Sequence, residues 1–371
     1  MRVALLAETA DRRIVRIAGG LARRGYRPAI ITIRPVAAIS DATKLPVHAL
    51  NARNPWDPRI PVRLIRALRG VRPHVLMAFH LQGALLGRVA AALVRVPMTI
   101  SSLNAAERGI LRNLLLRATD RLSRLTVAPT AGIAEALASR GAVSRSRLRV
   151  IAPPVEPPPP DDAASAARAR LRIADGEFVW VSVLEPAPAS DYATLLDACA
   201  RLDERCEHWR LVIASDGTLR RKMEQLRDRL ALNERVLFAE RQDDPGRVLP
   251  AADAVVTSSI GEGAPIPLIE AMLAGRPCVA SAAGGTPDLV EHGVTGWLVP
   301  PRRPDRLADC MLEVMQLPVA QRAAVAEAGR ASAASAFDVH RVIDEWEDLI
   351  ADAARRRSRR AERTAHGVAA P

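Results

Sequence analysis

The chain has 371 residues, 49% hydrophobic and 25% charged, a length that predicts about two globular domains. Its four cysteines, Cys199, Cys206, Cys278 and Cys310, form no C-x-x-C pair and have no histidine at ligand spacing, which argues against a disulfide framework and a structural zinc site. The net charge of +12 is uneven: residues 1–160 carry 26 Lys+Arg against 8 Asp+Glu, residues 161–350 carry 21 against 31, and residues 351–371 carry 6 against 2. A basic first half attracts anionic partners. Aromatics at 3%, with no stacking stripe, argue against nucleic acid and leave an anionic membrane surface as the expected class.

In chain order, Met1–Ala7 is an apolar run stopped by Glu8, too short for a secretory core segment. The short strand-like runs of the first half are Arg2–Ala7, Ala29–Arg34, Val75–Phe79, Met98–Ser101, Leu125–Ala128 and Arg149–Ile151. Helical patterns lie between them at Arg13–Arg24, Ala84–Val94, Ile110–Arg124 and Gly132–Ser139. The longest apolar tract, Val75–Ile100, is broken by His80, Gln82, Arg88 and Arg95, so no membrane-spanning helix is expected. Six prolines within 153–160 then forbid helix and inner strand and read as a stiff connector. The alternation restarts at Phe178–Val183, Arg210–Ala214, Val236–Phe238, Ala254–Thr257, Cys278–Ser281 and Trp297–Val299. Repeated strand–helix–strand units predict an α/β fold of two doubly wound domains, with a ligand cleft beyond the strands' carboxyl ends. In the last stretch, Phe337–Arg357, Val339, Ile343, Trp346 and Ile350 share one helical face that packs back onto the body. The basic tail, Arg355 to Arg360, reads either as a solvated end or as a contact for anionic lipid.

One segment carries chemistry. The strand Ala254–Thr257 enters a loop with glycine on both sides of Glu262, and Pro267 suits the first turn of the helix that follows. Gly275 and Pro277 stop that helix. The amides at its start form a site for phosphate. Glu270, placed within about the first helical turn, either accepts hydrogen bonds from sugar or ribose hydroxyls or complements the helix dipole.

The run Glu262-x7-Glu270, followed by Ala271-Met272-x-Ala274-Gly275-x-Pro277, Gly284-Gly285-Thr286-Pro287-Asp288 and Gly293-x-Thr295-Gly296, resembles the family 4 type of retaining glycosyltransferase with the GT-B fold. Further matches are Trp209–Ile213 with Asp216-Gly217, and Asp191–Leu196; the resemblance is dense from about 178 to 315 and looser before that. It implies two Rossmann-like domains facing a central cleft. The acceptor-side domain is 1–152, the Pro-rich linker 153–164, the nucleotide-sugar domain 165–336, and the returning helix with its basic tail 337–371. It implies that Glu270 holds the nucleotide ribose and that Glu262 lies near the donor sugar as the catalytic candidate. Gly263, Ala264 and Ile266 hold phosphate, and Asp216 and Gly217 join the donor-side set, to which Arg241 is added as a candidate replacement cation. His80 and Asn104 are the acceptor-side candidates, although a lone histidine is more often structural. No Asp-x-Asp pair flanks the segment, so no metal is expected, and the nucleotide-sugar is a substrate, which leaves no cofactor. The expected reaction moves a sugar from a nucleotide-sugar donor to a hydroxyl acceptor, lipid-linked or polymeric, with retention. The expected location is the cytoplasm, peripheral on the inner face of the plasma membrane.

The chain departs from that pattern in the donor pocket. Leu184-Glu185 and Ser190 stand where the family has Gly-Arg and Lys to grip the diphosphate. Glu8-Thr9 replaces a glycine pair, and Asn104 a histidine. Three explanations remain open at this point. Another cation (Arg220, Arg241 or Arg276) substitutes, the donor is atypical, or the chain is a degenerate homologue acting as a partner or regulatory subunit in glycan assembly.

Overall fold

Strands buried on both faces need continuous apolar runs, and the runs above become parallel strands for that reason. The computed structural model describes residues 1–35, 45–52, 54, 57–104, 109–157, 164–184, 190–215, 217–239, 248–261 and 263–366, with the backbone alone for 217, 218 and 353–366. The chain divides into two compact units, Met1–Pro154 with Val339–Pro371, and Val155–Asp338.

The first unit contains β1 (Arg2–Ala7), α1 (Arg12–Arg23), β2 (Arg27–Thr32), β3 (Val47–Ala49), α2 (Ile60–Val71), β4 (Val75–Phe79), α3 (His80–Leu93), β5 (Met98–Ser102), α4 (Ile110–Thr119), β6 (Leu125–Ala128), α5 (Ala131–Ser139) and β7 (Leu148–Val150). Among the described residues its sheet has seven strands in the order β3-β2-β1-β4-β5-β6-β7, each pair parallel. The order reverses between β1 and β4, where Leu5 stands opposite Met77.

In the second unit are α6 (Ala164–Arg170), β8 (Phe178–Leu184), α7 (Tyr192–Asp203), β9 (Trp209–Ser215), α8 (Gly217–Arg229), β10 (Val236–Phe238), β11 (Ala254–Thr257), α9 (Ile266–Leu273), β12 (Cys278–Ser281), β13 (Trp297–Val299), α10 (Pro304–Gln316) and α11 (Val319–Phe337). Six parallel strands run in the order β10-β9-β8-β11-β12-β13 among the described residues, with the reversal between β8 and β11. Trp180, Trp209, Leu195, Leu202, Met223 and Met311 fill its core. Cys199, Cys278 and Cys310 are buried there, and burial pushes their thiols up, which keeps them protonated.

The final helix, α12 (Val339–His366), belongs to the first unit. Its Val342, Ile343, Trp346 and Ile350 lie in one buried cluster with Ile14, Ile17 and Leu21 of α1 and with Phe79. Trp346 reaches the Phe79 ring at 6.2 Å, and the Arg13 guanidinium lies 5.6 Å from the same ring on its own account. The C-terminal helix thereby braces the end of β4.

Among the differences from the sequence expectation, three shape the first unit's sheet and its covering helices. First, α3 starts at His80 rather than Ala84, running straight off β4. Gly87 permits this close seat, since a Cβ there would sit 2.9 Å from Ala78 Cβ and 3.1 Å from Leu6 Cδ2. Second, α4 stops at Thr119 instead of reaching Arg124; residues 120–122 tighten into a 3-10 turn that closes through the Ser123 amide on Asp120 O. Third, β3 and α2 had no strand or helix assigned to them. With three residues at the sheet edge, β3 is too short to show a period.

Arg88 ties α3, α4, β5 and β6 together. It is fully buried, donating from Nε to Ser101 Oγ (2.9 Å), from one terminal nitrogen to Leu116 O and Thr119 Oγ1 (both 3.1 Å), and from the other to Thr126 Oγ1 (3.0 Å). Burial pulls its pKa down to about 10, against the charge of Asp120. Replacing Arg88 by Met strands buried acceptors at three elements, each worth about 1–3 kcal/mol when unpaired. The expected loss is on the order of 3 kcal/mol, read as a lower urea midpoint at unchanged slope.

Candidate active site

In a doubly wound sheet, ligands gather beyond the carboxyl ends of the strands where the order reverses. Each unit has one such place, and polar side chains collect at both.

In the first unit the place lies beyond Ala7 of β1 and Phe79 of β4. Asp11 caps α1, its Oδ1 accepting from the Ile14 amide at 2.9 Å. Arg13 donates to Asp11 Oδ2 at 3.3 Å and lies 3.1 Å from His80 Nε2, while Asn104 Nδ2 is 3.4 Å from His80 Nδ1. Both acceptor-side candidates, His80 and Asn104, are thus brought together, and both ring nitrogens face a polar group. His80 starts α3 with φ of 60°, a left-handed conformation that histidine tolerates better than most residues. Asp11 and Arg13 were not among the expected site residues. An acidic N-cap before an apolar helix was the available signal. Glu8, which stands at the family's glycine pair, is held by Arg34, its Oε1 2.6 Å from a guanidinium nitrogen.

Burial alone would raise the Asp11 pKa, but the Arg13 charge, the His80 contact and the Ile14 amide outweigh it and hold the group at about 2. A depressed carboxylate contributes stability that is present above its unfolded pKa near 3.8 and is lost as pH falls toward 2. Because this carboxylate is partly exposed, solvent screening reduces the contribution to about 1 kcal/mol. Asp11→Asn is therefore expected to destabilise the protein by about that much at neutral pH. Chemical unfolding at stepped pH should show the gap narrowing between pH 4 and 2.

In the second unit the place lies beyond Leu184 of β8 and Thr257 of β11. The helix α9 starts there with Pro265 as N-cap and Pro267 in its first turn. The Pro265 carbonyl accepts from the Leu268 and Ile269 amides. Among the described residues none accepts the amides of Gly263 and Ala264, which stand ahead of the helix, or of Ile266, which opens it. The other end closes in a Schellman turn, with Gly275 at φ of 64°, its amide on Met272 O and the Arg276 amide on Ala271 O. Glu270 is buried in the second turn of α9 rather than its first, because the helix begins at Ile266.

Glu262, Asp216 and Arg241 lie outside the described residues, as does Glu185; Gly217 opens α8. Two of the three candidate replacement cations have their places fixed. The Arg220 guanidinium is taken by Glu224 Oε1 (2.8 Å), Ala239 O (3.0 Å) and the Phe238 ring (5.5 Å). Arg276 follows the carboxyl end of α9, opposite to the end that carries the amides of Gly263, Ala264 and Ile266. Neither takes up the role of the missing lysine. Ser190, at that lysine's position, is fully buried. Ser258 Oγ donates to the carbonyls of Ser190 (3.1 Å) and Asp191 (2.9 Å), which stitches the exit of β11 to the start of α7.

The family model described as glycosyl transferases group 1 matches residues 176–316, and that described as Glycosyltransferase Family 4 matches residues 10–157. N-acetyl-alpha-D-glucosaminyl L-malate synthase of Bacillus anthracis is 28% identical over 146 residues, 39% of this chain and 38% of that protein. D-inositol 3-phosphate glycosyltransferase of Mycobacterium sp. (strain KMS) is 35% identical over 176 residues, 45% of this chain and 39% of that protein. The matched stretches thus span about two fifths of those relatives' lengths. The crystal structure of Anabaena HepE in complex with UDP and glucose superposes with a TM-score of 0.81 at 19% identity, covering 95% of this chain and all of that one. The two family models meet the two sheets one to one, and the chain belongs to the family 4 glycosyltransferases of GT-B fold.

Proposed function

We propose that the protein transfers a sugar from a nucleotide-sugar donor to a hydroxyl of a lipid-linked or polymeric acceptor, with retention at the anomeric carbon, in the assembly of a cell-envelope polysaccharide or glycolipid. The observation that carries this reading is the start of α9, where the amides of Gly263, Ala264 and Ile266 meet no described acceptor while Glu270 lies one turn along the same helix. Amides at a helix start favour phosphate, and a carboxylate close by suits hydroxyls. The HepE complex, which holds UDP and glucose, supports a nucleotide-sugar as the donor class.

In this reading the α9 amides stabilise the charge that develops on the leaving diphosphate. Glu270 orients the donor through its ribose hydroxyls. Glu262 lies beside the donor sugar, with Asp216, Gly217 and Arg241 completing the donor side. His80, held between Arg13 and Asn104, orients the acceptor hydroxyl, and fixed orientation is the larger share of what such a transfer demands. The sugar nucleotide is consumed as substrate, and the reading includes neither a resident cofactor nor a metal. The protein works in the cytoplasm, peripheral on the inner face of the plasma membrane, where lipid-linked acceptors are found.

A second reading rests on Ser190. With a buried, stitched serine where the family grips phosphate, the chain acts as a donor-blind partner subunit in glycan assembly. Calorimetric titration with UDP-, GDP- and ADP-sugars separates the two. The transferase reading expects one series to bind and Glu270→Ala to weaken it by about 10- to 100-fold, the value of a hydrogen bond to a charged group. A folded protein that binds none of them is the partner subunit.

A further inference from the structure

Exposed apolar side chains are common singly and informative when they cluster. Among the described residues, twelve large hydrophobic side chains are exposed, and five of them fall within thirteen positions: Ile110 at 83%, Leu111 at 70%, Leu114 at 54%, Leu115 at 44% and Leu122 at 42%. Four of these belong to α4, and Leu122 to the 3-10 turn that ends it. At about 100° per residue, Ile110, Leu111, Leu114, Leu115 and Ala118 span about 140° of the helix surface. The opposite side is committed to the body: Leu116 is fully buried, and its carbonyl and the Thr119 hydroxyl accept from buried Arg88. The outward stripe therefore does not turn inward without breaking that anchor.

The charges around the stripe have one sign. Arg112, Arg117, Arg121 and Arg124 are exposed between 109 and 124, and the single acid among the described residues there, Asp120, is buried. Asp120 is occupied by Arg147 Nε at 3.9 Å and the Ser144 amide at 3.4 Å. A helix with a leucine face rimmed by arginine lies in the plane of an anionic bilayer surface, its side chains entering the acyl boundary and its guanidinium groups meeting phosphate. A two-fold pair of chains through the same face would bring like arginine rims together, which electrostatics opposes.

We propose that α4, with the turn through Leu122, is the membrane-docking surface of this protein, and that its occupant is an anionic lipid bilayer. The proposal deepens the peripheral-membrane part of the proposed function and is independent of the donor. Its test uses the full chain without any sugar nucleotide, sedimented with phosphatidylcholine vesicles with and without phosphatidylglycerol. The expected result is binding to the phosphatidylglycerol vesicles at low salt, release by high salt, and little binding to pure phosphatidylcholine. Leu111→Gln with Leu115→Gln should weaken binding about tenfold or more. Arg117→Gln with Arg121→Gln should weaken it about 30-fold and flatten its salt dependence. Both pairs replace exposed side chains, so melting by circular dichroism should be unchanged; if one pair unfolds the protein, the other decides. Three results overturn the proposal: no binding to anionic vesicles, equal binding by the folded variants, or self-association in sedimentation velocity that the leucine pair abolishes. Sugar-nucleotide titration of the same variants should match the parent chain, which separates a failed docking surface from a failed donor reading.

Discussion

A parallel sheet wound in both directions has one point where neighbouring connections diverge, and most of the chemistry in this protein depends on that constraint. Backbone amides and side chains collect there because no helix covers the strand ends at the reversal. In the first unit the reversal between β1 and β4 gathers Asp11, Arg13, His80 and Asn104 from widely separated parts of the chain. In the second, the reversal between β8 and β11 brings Ser190 against Ser258 beside the start of α9. The packing that holds these places is remote from them. Trp346 on the final helix supports Phe79, and Phe79 supports both Arg13 and the turn into α3. A change in the last helix is therefore felt at the end of β4, through contacts that close-packed side chains transmit without much loss.

The two-sheet architecture was legible because each central strand is a continuous apolar run with few competing signals. β1, β4, β6 and β10 to β13 begin and end at the expected residues. What escaped was short or context-dependent. β3 has three residues, fewer than two periods of alternation, and exists because β2 offers it hydrogen bonds. α3 absorbs His80-Leu81-Gln82-Gly83, a polar stretch with a glycine, because its axis is set by Gly87 lying against Ala78 and Leu6 rather than by propensity. At the sites, local pattern marked α9 and its caps correctly, since Pro267 and Gly275 carry their own backbone preferences. Asp11 and Arg13 join His80 only through the fold, and no spacing along the chain encodes a contact between residues 13 and 80.

On the proposed reading of α9 as the donor site, the residues around it show how a substitution is absorbed. A lysine at position 190 would need an open path toward the ligand, yet Ser190 is buried and its carbonyl, with that of Asp191, accepts from Ser258. The cation has been exchanged for a backbone stitch that fixes the start of α7. Arg220 does not compensate, because its guanidinium is already divided among Glu224, Ala239 O and Phe238. What remains for phosphate at α9 is the set of amides, whose partial charges are weaker than an ammonium but fixed in direction. Preorganised dipoles lose less on reorganisation than a flexible side chain does, so a pocket built on them alone favours a donor already positioned by its base and ribose.

Arg88 links this chemistry to the protein's outer surface. A buried guanidinium without a carboxylate at hydrogen-bond distance is costly, and here the cost is offset by acceptors on β5, β6 and α4 together. An apolar residue at 88 would strand those acceptors and release the hold on α4, whose leucines hydrophobic burial would otherwise draw inward. Because the Leu116 carbonyl and the Thr119 hydroxyl are held from below, rolling would strand buried acceptors, and the leucine stripe stays outside. The same arginine therefore steadies α3, whose first residue is His80, and holds the stripe outward. The proposed transfer to a lipid-linked acceptor needs both at once, and one buried side chain couples them.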